Sequence, residues 1–141
     1  MTDNYYNTAF KKFMDGDIDL LSNTIVAMLL DSTYTPDVDN DEFIDDISGD
    51  ELSTGGYARK TLTTKTTTVD AVNNWVEFAS DDITGWNGDT FTGARYMVIA
   101  VNSGADATSA LICYLDFSSN KDAPIEVNCP ASGWFTLGAC P

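Results

Sequence analysis

The residues best equipped for chemistry in this chain are its carboxylates. Asp37, Asp39 and Asp41 alternate through an acidic stretch, as do the first three ligands of a calcium loop. The match ends there. Counting from Asp37, the sixth position is Glu42, where the sharp turn needs glycine, and the twelfth is Ser48, where a bidentate glutamate belongs. The stretch reads instead as an acidic loop feeding a helix N-terminus, whose positive dipole end favours negative charge. No metal and no cofactor are expected.

Adjacent carboxylates recur at Asp45-Asp46 and Asp81-Asp82, but nothing singles out one pair as the acid and base of a glycosidase. The chain has no histidine, which removes the usual general base, the usual zinc ligand and any Ser-His-Asp triad. Cys113 lies inside an apolar run with no histidine to activate it, and reads as a small buried hydrophobe. Cys129 and Cys140 flank a short C-terminal segment and could pair in an oxidising environment. Ser53-Thr-Gly-Gly-Tyr57 lacks the Lys-Ser/Thr of a phosphate loop. No enzyme is expected, and no small-molecule substrate. Trp75, Trp86 and Trp134 read as core residues or interface anchors, with a sugar-stacking platform as the other reading.

The overall charge narrows the partners. Twenty-two acidic residues against seven basic ones leave a net charge of −15, which repels phosphate backbones and anionic lipid. Neither nucleic acid nor a membrane is an expected partner. No apolar run approaches the roughly 20 residues of a membrane helix, and Met1-Thr-Asp-Asn-Tyr-Tyr6 is not the start of a secretory signal. The expectation is a soluble chain made in the cytoplasm.

The elements that position these residues follow from periodicity. Thr92–Phe117 holds two nearly unbroken apolar runs around Asn102-Ser-Gly-Ala-Asp-Ala-Thr-Ser109, the pattern of a hairpin buried on both faces. Such a hairpin needs a layer of structure on each side. Thr24–Leu30 is another doubly buried run. Arg95 opens a buried strand, where it needs a carboxylate partner. Tyr6, Phe10, Phe13 and Met14 give one apolar stripe on a helix over Asn4–Met14 that Gly16 ends. That helix packs either on the chain's own sheet or on a neighbouring subunit.

Asp41–Ile47 reads as a second, short helix, and Ile18–Leu21 as a short strand. Over Lys60–Val69 threonines alternate with Leu62, Lys65 and Val69, a strand suited to a sheet edge or an interface. Arg59, Lys60 and Lys65 gather there. Trp75–Ala79, Ile125–Asn128 and Trp134–Leu137 supply further short strands, and Asp81–Asp89 reads as a short strand and a loop. The fold class is mainly β: a two-layer β-sandwich or jelly-roll-like domain of roughly eight strands with an N-terminal helix and a short second helix. Residues 1–15 form a helical arm and 16–141 a single β-sandwich domain.

Several stretches resemble small virion proteins of tailed bacteriophages. They are Tyr5-Tyr-Asn-Thr-Ala-Phe-Lys-Lys-Phe-Met-Asp-Gly-Asp-Ile-Asp-Leu20, Thr24-Ile-Val-Ala-Met-Leu-Leu-Asp-Ser-Thr-Tyr-Thr-Pro36, Phe43-Ile-Asp-Asp-Ile47, Gly55-Gly-Tyr57, Ala94-Arg-Tyr-Met-Val-Ile99 and Leu111-Ile-Cys-Tyr-Leu-Asp-Phe117, with Trp134-Phe-Thr-Leu137 near the end. The cysteine in the tail departs from the family. The resemblance implies a capsid decoration (cement) protein, non-enzymatic, on the outside of a phage head. Its implied partners are the major capsid protein and two further copies in a homotrimer. A tail, neck or fibre component, or a carbohydrate-binding adhesin module, is the alternative. The interface candidates are Tyr6, Phe10, Phe13 and Met14 on the helix, and Lys60 and Lys65 on the threonine-rich strand.

Overall fold

A computed structural model describes residues 4–138. The chain is mainly β, with antiparallel sheets and two short helices arranged as a β-sandwich. The largest sheet has five strands: β1 (Asn4–Tyr5), β2 (Ile25–Leu30), β3 (Lys60–Thr61), β7 (Ala94–Val101) and β8 (Leu111–Lys121), in spatial order β1-β8-β7-β2-β3. β4 (Thr66–Asp70), β5 (Trp75–Ala79) and β10 (Phe135–Gly138) form a second sheet in the order β10-β5-β4. β6 (Ile83–Trp86) and β9 (Ile125–Val127) pair as a ribbon. The helices are α1 (Asn7–Asp15) and α2 (Ile44–Ile47).

The central hairpin is β7 with β8, and β2 lies on the other side of β7 in unbroken register from Ile25↔Val101 to Leu30↔Tyr96. Every residue of β2 is buried, because the five-stranded sheet is covered on both faces. Ile25, Ala27, Leu29, Met97, Ile99 and Val101 face a core shared with Phe78, Trp86, Phe91, Trp134 and Phe135 from the other strands and loops. Val26, Met28, Leu30, Val98 and Ala100 face the opposite way, under Tyr6, Tyr34, Ile44 and Ile47. Alternation still governs each strand, but both sides of the alternation are apolar.

A bulge at Ile112 adjusts the hairpin: Ile99 pairs with Cys113, while Ala100 pairs with Leu111. The Ile112 carbonyl, turned outward by the bulge, accepts the Tyr6 N–H at 3.1 Å. Asn4 and Tyr5 then pair with Tyr114 and Cys113, so the segment expected to begin a helix begins as an edge strand. The helix starts only at Asn7 and ends at Gly16, whose φ of 80° is the left-handed value that glycine adopts without strain. Residues 4–15 thus pack against the chain's own sheet.

Three other expectations change. Ile18–Leu21 is a turn, because the Asp19 carboxylate accepts the backbone N–H groups of Leu21 and Ser22 at 3.0 and 3.1 Å. The threonine run Lys60–Val69 is two strands. Leu62 turns into the core between them, Thr64 takes a φ of 51°, and the Thr63 and Thr64 hydroxyls both donate to Asp81. The last hairpin strand runs on through the polar Ser118–Lys121, with three extra residues relative to its partner between Tyr96↔Asp116 and Ala94↔Lys121. Gly55 is obligatory for a separate reason: a Cβ there would lie 2.3 Å from the Phe91 nitrogen, at a φ of 64°.

Two arginines make two-pronged ion pairs. Arg95 meets Asp116 through paired bonds of 2.7 and 2.9 Å, the partner its position demanded. Arg59 bridges Glu51 and Asp106 in the same two-pronged way, with Glu51 also accepting the Tyr57 hydroxyl at 2.8 Å. The Arg59 hydrogen bonds hold the Asp106 carboxyl below its usual range. Arg59→Ala is expected to destabilise the fold by about 1–3 kcal/mol in chemical denaturation, most of it from leaving the shielded Glu51 without its cation. Asp106, whose side chain is 42% exposed, adds little. Because the Asp106 pKa is depressed on folding, its contribution is full above the unfolded carboxyl value and fades as pH falls through the folded one. The variant should accordingly show a shallower loss of stability on the acid side of that window.

Candidate docking surface

The exposed large apolar side chains do not scatter evenly. Among the described residues they are Phe10 (39% exposed), Met14 (84%), Leu21 (50%), Val69 (72%), Val72 (89%) and Val76 (39%). Apart from Leu21, two groups emerge: the helix α1 and the far end of the β4–β5 hairpin.

An apolar tract joins them. Tyr5 contacts Phe10 at a ring separation of 4.9 Å and Phe135 at 5.9 Å. Phe13 also stacks near Phe135, which lies 5.1 Å from Phe78. Across the small sheet Phe135, Phe78 and Thr67 form one row, and two residues along the strands Leu137, Val76 and Val69 form the next row on the same face. The first row closes over the core. The second continues its apolar character beyond the body of the domain, where Val76 and Val69 are open to solvent. A shallow depression lined by Val69, Ala71, Trp75, Val76 and Leu137 marks this end.

The edges of the sheets are handled unequally. β1 and β3 are two residues long, too short to template another strand. The outer edge of β10 is occupied by the Tyr5 hydroxyl, which donates to the Thr136 carbonyl and accepts the Thr136 N–H at 2.9 Å. β4 has five residues, Thr66-Thr-Thr-Val-Asp70, and its outer edge meets no other strand among the described residues. Its turn into β5 is fixed by Asp70, whose carboxylate accepts the N–H groups of Val72 and Asn73.

The expected interface residues separate on this map. Tyr6 is fully buried, its hydroxyl 2.7 Å from that of Tyr34, which donates in turn to Asp41 at 2.8 Å. Burial pushes both phenols well above their ordinary pKa. Tyr6 therefore faces the chain's own core and offers nothing to a partner. Phe13 is half-buried against the core, whereas Phe10 and Met14 are open. Lys60 lies along Gly85, and the Lys65 amine donates to the Asn23 carbonyl, so both lysines brace their strands from the side. Val72 and Val76 were not among the residues the sequence singled out, whereas Lys60–Val69, read as a strand suited to a sheet edge or an interface, contains Val69 and the open β4 edge.

The residues considered for chemistry have local duties. Asp37 accepts the N–H groups of Asp39 and Asn40, and its carboxyl is held low, chiefly by the Asn40 side chain. Asp41 accepts the Asp37 N–H and the Tyr34 hydroxyl. Trp86 and Trp134 are buried, with indole N–H groups donating to the Ala58 carbonyl and the Ser80 hydroxyl. Trp75 is half-buried and donates to Glu77. Cys113 is buried, Cys129 is partly so, and the pairing considered for Cys140 lies outside the described residues. No protein-family model matches this chain, and neither the curated proteins nor the solved structures give a match to it.

Proposed function

We propose that this chain is a non-enzymatic virion structural protein of the decoration (cement) type, bound to the outside of a tailed-phage head and bridging subunits of the major capsid protein. The reading is supported by the sequence resemblance, and one structural observation carries it. Most of the exposed large apolar residues of this strongly acidic chain, among the described residues, sit at the two ends of a single tract, Phe10 and Met14 on α1 and Val69, Val72 and Val76 on the β4–β5 hairpin. A tract exposed at both ends suits a protein that touches two neighbouring subunits. The acidic remainder would face solvent and keep particles apart. A homotrimer at three-fold positions, as the resemblance implies, would multiply contacts that are individually weak.

Copy number tests the reading. Quantitative mass spectrometry of purified particles is expected to find this chain at hundreds of copies, in proportion to the major capsid protein. A handful of copies, travelling with tail or neck proteins, would place it among those components instead. On empty heads lacking the protein, Met14→Asp is expected to weaken rebinding at least tenfold while the variant's thermal unfolding stays unchanged. Equal rebinding would exclude α1 from the contact.

A further inference from the structure

The open edge of β4 has features that select its occupant. We propose that β4 pairs with β4 of a second copy in antiparallel fashion, joining two small sheets into one of six strands about a two-fold axis. This inference does not rest on the decoration reading.

Charge is the first argument. Arg59 is neutralised by Glu51 and Asp106, and residues 60–80 carry Lys60 and Lys65 against Asp70 and Glu77, a balance of zero, whereas the rest of the chain holds the other 20 acidic residues against five basic ones. A second copy is repelled from most approaches to this molecule and least from this one. The second argument is register. Full overlap of the five residues places Thr68 opposite Thr68, Thr67 opposite Val69 and Thr66 opposite Asp70. No like charges face each other, threonine pairs suit cross-strand positions, and the two edges exchange main-chain hydrogen bonds.

The third argument is the apolar row. In that register Leu137, Val76 and Val69 of one copy continue into Thr67, Phe78 and Phe135 of the other, on the same face. Each Val69 then lies opposite the partner's Thr67 with the partner's Val69 on the diagonal, so the two most exposed valines of the strands approach one another across the new seam. In the two larger sheets the other edges are too short to do this (β1, β3) or, in β10, are already engaged by Tyr5. On a decorated head such a pairing would link copies in adjacent trimers; free in solution it produces an even-numbered assembly.

The test uses the full chain in solution, with no capsid present. Light scattering behind gel filtration, over a concentration series, is expected to give a mass of two 15.3-kDa chains or an even multiple. Thr68→Lys, which sets two cations face to face, is expected to halve that mass with an unchanged circular dichroism spectrum. Thr68→Cys should be captured as a covalent dimer by a short bis-maleimide at least tenfold faster than the wild-type chain, whose own cysteines supply the background. A monomer at every concentration, or an assembly in which the Thr68→Cys variant is captured no faster than that background, overturns the proposal. Because capsids are absent, that failure leaves the decoration reading standing, and failure of head binding leaves this one standing.

Discussion

Val98→Asp is expected to abolish folding, giving a chain with no cooperative unfolding transition and little soluble yield. Val98 is fully buried at the centre of β7, paired with Met28 on one side and Tyr114 on the other. Its side chain points into the layer formed by Val26, Leu30, Tyr34, Ile44 and Ile47, where the nearby polar groups are hydroxyls already engaged. A carboxylate there has no cation. Desolvating an unpaired charge costs several kcal/mol at least, and neutralising it still leaves a buried polar group and a misfitted cavity. Native domains hold only about 5–15 kcal/mol in reserve. A soluble, cooperatively unfolding variant, seen by calorimetry, would show that the β2–β7–β8 unit is not the organising centre.

The second large effect is expected from Tyr6→Ala, a destabilisation of about 3–5 kcal/mol by the loss of a large buried ring. The Tyr6 ring lies 5.8 Å from that of Tyr114, and its hydroxyl shares a hydrogen bond with Tyr34 beneath Asp41. Its backbone N–H is bound at the Ile112 bulge, and the next residue's N–H donates to the Val38 carbonyl at 2.8 Å. The side chain therefore joins the N-terminal strand to the loop that roofs the second core layer. Tyr6→Phe separates the contributions: it keeps the ring and removes the hydroxyl, so about 1 kcal/mol is expected. If the alanine variant unfolds at the same denaturant concentration as wild type, the segment is an arm after all.

Tyr6 also shows where sequence reading stops. The spacing of Tyr6, Phe10, Phe13 and Met14 fits one helical stripe, yet these residues serve three environments. Tyr6 precedes the helix in extended conformation and enters the layer beneath α2, Phe13 packs towards Phe135 on the opposite side of the main sheet, and Met14 is open. Periodicity reports that residues are apolar at helical intervals, and says nothing of which side of a sheet each one meets. The central hairpin was legible because burial on both faces removes polar residues from the strand altogether, as in β2. Arg95 was legible because a cation in such a strand needs a carboxylate, and Asp116 supplies one.

The break in the threonine run was not legible. It depends on Leu62 turning inward and on two hydroxyls gathering at Asp81, a residue distant in sequence. The docking tract was legible only in part. Local pattern marked a strand with little commitment to a core, but the row Leu137-Val76-Val69 exists only once β10, β5 and β4 are in register.

As proposed, the chain would decorate a head through the apolar tract running from α1 to the β4–β5 hairpin. A cryo-electron microscopy map of the particle that carries it tests this most directly. Density for the chain is expected on the outer surface of the shell, with Phe10, Met14, Val69 and Val76 turned towards the capsid or a neighbouring copy and the acidic loop at Asp37–Asp46 towards solvent. Density confined to the tail or neck, or a head-bound chain seated on that acidic loop, would contradict it.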